Sequence, residues 1–161
     1  MAEGETPLAH NDEATSLQAA DRAILTARFL GFGGLVPFLF LAAATVMDLR
    51  LPFAPAPALL IGYGAIILSF VGALHWGAQL TNTTPRSARF IWSILPALLG
   101  WVALMVPATS AVICLITGLM LCWIYDMRIM KAGEWPHYMR SLRTILTAIA
   151  CLSLSVILWP L

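Results

Sequence analysis

The chain has 161 residues, 60% of them hydrophobic and only 11% charged, whereas a soluble domain carries about 25% charge. Such a composition cannot keep a water-facing surface wet, so it excludes an ordinary soluble domain and indicates an integral membrane protein. The net charge of +1 argues against a nucleic-acid binder that gains its affinity by neutralising phosphates.

Residues 1–22 form a polar tail rich in Glu3, Glu5, Asp12, Glu13 and Asp21. The tail lacks the basic start and early apolar run of a signal peptide, so cleavage is not expected. Its composition predicts disorder in its first part. Thr15 or Ser16 is placed to cap a short helix along the membrane surface that leads into the first span.

Residues 23–161 read as one transmembrane domain. Apolar runs near 27–47, 58–80, 88–106, 109–130 and 142–161 each approach the roughly 20 residues a helix needs to cross the hydrocarbon core. None alternates as a barrel strand would. The expected fold is an all-α integral membrane protein, a bundle of five transmembrane helices.

Basic residues set the expected orientation. Arg22, Arg28, Arg86, Arg89, Arg128, Lys131, Arg140 and Arg143 fall on the N-terminal side, and Arg50 alone falls on the other. With loops this short the positive-inside rule predicts the N-terminus inside and the C-terminus outside. The sequence Asn82-Thr83-Thr84 has the form of a glycosylation acceptor, but it lies on the inner side and is read as coincidence.

Within the first span, Pro37 follows Gly31, Gly33 and Gly34 and should bend the helix. The loop 48–57, with Pro52, Pro55 and Pro57, is short and stiff. Pro96 and Gly100 predict a kink in the third span. Trp92, Trp123, Trp135 and Trp159 lie near span ends as interfacial anchors, with Trp101 deeper. Cys114, Cys122 and Cys151 sit in apolar runs and read as small packing residues. Thr144, Thr147, Cys151 and Ser155 give the last span a small, hydroxyl-bearing face. The loop from Lys131 to Arg140 mixes basic residues with Trp135 and Tyr138, as a segment lying on the inner leaflet would.

The most specific stretch is in the second span. Ala65, Ser69, Ala73 and Gly77 recur every fourth residue and, with Gly64 and Gly72, are expected to let another helix approach closely. His75 lies on a different face, with Leu68, Gly72 and Gln79. Asp126 lies at matching depth in the fourth span, flanked by Tyr125 and Arg128, while Arg89 and Trp92 enter the third span at the same level. A carboxylate inside a span must be paired or turned inward, and His75 or Arg89 is its expected partner. A ligand headgroup site is conceivable at Tyr63, His75, Trp76, Gln79, Arg89, Trp92 and Asp126. No catalytic residue is assigned, because Ser69 is nearly two turns from His75 and a Ser–His–Asp triad does not fit. No metal is expected, since His75 has no second histidine at i+4. No cofactor is expected either: the sequence has no glycine-rich phosphate loop and no convincing haem-ligand pair.

Three stretches, LGFGGLVPF at 30–38, YGAIILSFVGALHWG at 63–77 and WPHYMRSLR at 135–143, together resemble a family of uncharacterised small membrane proteins that includes human transmembrane protein 69. The resemblance covers nearly all of the chain after the tail. It implies a helical protein of the bacterial inner (plasma) membrane or the mitochondrial inner membrane. Gly31, Gly34, Pro37, Tyr63, Gly64, Gly72, Trp76 and Gly77 match the family's pattern. It also implies a basic residue, His or Arg, at the place of His75, which favours an anion or salt-bridge role over imidazole chemistry. No activity comes with it.

Three functional readings follow. The first is non-enzymatic: an accessory or assembly component that packs against a larger membrane complex or against copies of itself. The second is a binder or small transporter of a lipid, quinone or other amphipathic ligand at an inner-leaflet site. The third is an intramembrane enzyme with His75 as its base. The partners expected are membrane lipid and a larger membrane protein complex or a homo-oligomer, with no nucleic acid.

Overall fold

A computed structural model describes residues 7–80, 86–131 and 137–159. The described residues form α1 (Pro7–Gly33), α2 (Val36–Val46), α3 (Ala56–Leu80), α4 (Ser87–Ala103), α5 (Ala108–Lys131), α6 (His137–Ser155) and a closing 3-10 turn, Val156–Leu158. They divide into two compact units, Met1–Gly34 and Leu35–Leu161.

The first unit is α1. It begins at Pro7 and runs on past Thr15 and Ser16, so neither residue stands at a helix start. A proline at the first helical position has its φ pre-set and no amide left unbonded. Residues 1–6 lie outside the described set. Further along, Leu25, Phe29, Leu30 and Phe32 are exposed apolar side chains.

The first apolar run is broken rather than bent. Gly34 N–H closes α1 onto Leu30 O at 3.0 Å. The next helix restarts with Pro37 in its first turn, where a missing N–H costs little.

The second unit is built around α3, which packs against α2, α4, α5 and α6. Leu60, Leu68, Val112, Leu115 and Leu154 are completely buried in its interior. Among the described residues, four helical segments are long and apolar enough to cross a membrane: Asp21–Val46, Ala56–Leu80, Ala108–Met130 and Met139–Leu158. The expected third span is shorter, Ser87–Ala103, because the chain turns at 104–107. Its 17 residues rise about 25 Å, somewhat less than the hydrocarbon thickness of about 30 Å.

Close helix approach depends on glycine and uses only the first half of the expected period-four stripe, Ala65 and Ser69, which face Gly100 of α4. A Cβ on Gly72 would meet Ser93 O of α4 at 2.5 Å, and one on Gly100 of α4 would meet Ala65 O at 2.9 Å. Pro96 sits against Gly72, which makes room for its ring. Gly64 abuts Leu115 and Leu154. Ala73 and Gly77, by contrast, are exposed, and a Cβ on Gly77 would touch nothing within 4 Å. The buried face of α3 runs from Ala56, Leu60, Ile61, Gly64 and Ala65 through Leu68, Val71 and Gly72 to His75 and Gln79, so the stripe is enclosed at Ala65 and open at Ala73 and Gly77.

The last span's expected small face divides similarly. Thr147 is buried, Cys151 is half-buried, and Thr144 and Ser155 are exposed.

Candidate functional site

The polar interior of the bundle centres on Asp126. This residue is fully buried on α5, five residues before the helix ends at Lys131. An ionised carboxylate at such a place needs compensation from inside the protein. Two other helices provide it. His75 of α3 brings Nε2 to 2.7 Å from Oδ1, an ion-pair distance without hydrogen-bond alignment. Arg143 of α6 donates from Nε to Oδ2 at 2.7 Å, and its second guanidinium nitrogen lies 2.5 Å from the same oxygen. Each carboxylate oxygen therefore has its own partner. Arginine and aspartate cancel in charge, which lowers the cost of holding the carboxylate in a low-dielectric interior.

Aromatic rings wall the trio. The His75 ring meets Tyr125 edge-on at 5.2 Å, and Trp92 of α4 lies against Tyr125 at 4.6 Å. The Trp92 Nε1–H is covered by protein and has no acceptor among the described residues. One turn beyond His75, Gln79 Oε1 accepts the Arg86 backbone N–H at 3.1 Å, which ties α3 to the start of α4.

The structure thus brings together His75, Trp92 and Asp126 of the expected set, with Gln79 beside them. Arg89 is half-buried in the first turn of α4, and Asp126 is paired with Arg143 rather than with it. Trp76 points out of the bundle, 42% exposed, with its ring edge-on to Phe90 at 5.0 Å. Tyr63 is separated from the trio. It packs edge-on against Phe38 of α2 at 4.9 Å, and its 12-residue separation from His75 corresponds to about 18 Å along α3.

Arg143 is the participant that sequence reasoning missed, because it was counted among the loop cations that fix orientation. A periodic signal was present. Arg143, Thr147, Ala150 and Leu154 are all buried, and their spacing is that of one helix face.

Nucleophilic chemistry has little support in this geometry. Ser69 Oγ donates to Ala65 O at 2.9 Å and lies about 9 Å along the helix from His75. With both Asp126 oxygens engaged, the arrangement serves best as a pin between α3, α5 and α6.

A bundle with an apolar exterior and a buried ionic centre defines an all-α membrane protein. The chain belongs to a family described as "Protein of unknown function (DUF3429)", which matches residues 24–159. It is similar to "Transmembrane protein 69" of Xenopus tropicalis, with 34% identity over 144 residues covering 86% of this chain and 55% of that protein. The similarity to "Transmembrane protein 69" of Mus musculus is 28% over 138 residues, covering 82% of this chain and 55% of the relative. The chain therefore spans about half the length of the curated relatives it matches. No solved structure matches it.

Proposed function

We propose that this protein is a non-enzymatic accessory or assembly component of an inner-membrane complex, oriented with its N-terminus inside and its C-terminus outside. The observation that carries this reading is the division of α3. One face is closed against its own bundle through Gly64, Leu68, Gly72 and His75, while Ala73 and Gly77 remain open on the outer surface. Small residues at such positions admit another helix at short range. The Asp126–Arg143 pair supports the same reading, since a carboxylate held by a guanidinium fixes helices more readily than it shuttles protons. The test is a native gel of membranes solubilised in mild detergent, with a C-terminal tag and mass spectrometry of the band. A band far above small-oligomer mass, with stoichiometric partners, is expected. A monomer or dimer carrying only lipid contradicts the reading.

One observation favours a second reading, an amphipathic ligand with a carbonyl acceptor. The Trp92 Nε1–H lacks an acceptor and sits beside Tyr125 and His75. Because the atom is covered, entry requires the indole to move. Thermal stabilisation by a quinone or lipid ester that is lost in Trp92→Phe would support this reading. Equal stabilisation of both proteins would remove it.

A further inference from the structure

We infer that the end of the bundle where α4 and α6 begin and α5 finishes is a docking surface for anionic phospholipid headgroups. Arg86, Arg128 and Arg140 flank three different helix ends there and are all exposed. The ends are brought to one side by the fold itself: α4 and α5 are joined by a short turn at 104–107, and Asp126 near the end of α5 reaches Arg143 near the start of α6.

Charge complementarity selects the occupant. Within Leu35–Leu161 the sequence has three acidic residues, Asp48, Asp126 and Glu134. Glu134 lies outside the described residues, and Asp48 lies beyond the other end of α2, with Arg50. Asp126 faces inward, is completely buried and is held by His75 and Arg143. It therefore does not neutralise the surface arginines.

The apolar surroundings suit a lipid. Trp76, Leu80 and Ile91 are exposed beside this end, where an indole and aliphatic chains can meet the acyl region while guanidinium forks take phosphate oxygens.

The full chain, purified in uncharged detergent, would be mixed with dioleoylphosphatidylglycerol or dioleoylphosphatidylcholine. Retained lipid would be read by native mass spectrometry and stabilisation by melting temperature. Preferential retention of the anionic lipid is expected, by about fivefold for each arginine. The triple variant R86Q/R128Q/R140Q should lose the preference by about a hundredfold. Should that variant fail to fold, the wild type still decides the matter. Raising salt from about 0.1 to about 1 M shortens the screening length from about 10 to about 3 Å and should erase the preference. Equal retention of the two lipids, a preference unaffected by salt, a preference kept by a folded triple variant, or the same stabilisation by inorganic phosphate would overturn the inference.

Discussion

The two ends of α3 are held by different physics. Near Leu80, His75 stands at ion-pair distance from Asp126 of α5, and Gln79 accepts a hydrogen bond from the start of α4. Toward Ala56, Leu60, Ile61 and Gly64 are held by apolar packing, with Phe38 against Tyr63 alongside. In a bilayer the surrounding solvent is as apolar as the core, so apolar packing contributes mainly van der Waals contact. A buried ion pair has no equivalent solvent to return to. The polar end should therefore be the more sensitive to single substitutions, although it contains fewer residues.

The largest expected effect follows from Arg143→Ala. It leaves Asp126 buried without its cation and should destabilise by about 3–5 kcal/mol, seen as a fall in melting temperature in detergent. The double change Asp126→Leu with Arg143→Leu should cost clearly less than Arg143→Ala alone. If the double variant is no more stable than the single, the pin model is wrong.

Next in size are Gly72→Ala and Leu115→Ala. The new methyl at position 72 meets a backbone oxygen that cannot swing aside, and overpacking of this kind costs about 1–3 kcal/mol. The cavity left at Leu115 should cost less than its value in a soluble core, because the transfer component is small in lipid. A Leu115→Ala cost matching that of Arg143→Ala would blur the contrast between the ends.

A smaller effect is expected at His75. Removing one of two partners by His75→Ala should cost about 1–3 kcal/mol. His75→Arg should be milder, since a guanidinium can still reach the carboxylate. An equal loss from both would make imidazole shape, rather than charge complementarity, the requirement. Smallest of all is Gly77→Ala, expected to lie within about 0.5 kcal/mol for the isolated chain because its added methyl meets open space. Gly77→Leu should likewise leave the isolated chain folded while shifting the native-gel band if a partner helix docks there. An unchanged band in a partner-bound preparation would move the docking face elsewhere.

Composition, run length and the two interior polar residues determined much by themselves: a helical membrane bundle, the location of its apolar segments, and the need for Asp126 to find a partner. They could do so because hydropathy and helix period are local properties. The choice of partner was not local. Arg143 is 17 residues from Asp126 in sequence and resembled a loop cation until α6 was packed against α5. The assignment of α3's faces also needed packing, since only the neighbours show which part of a stripe is enclosed. The break after Gly33 arose from several competing local signals, Gly34 and Pro37 among them, whose outcome depends on where each helix can start. The sequence thus specified which residues had to be buried or neutralised, and the tertiary structure decided against what, because that depends on how helices distant in sequence are juxtaposed.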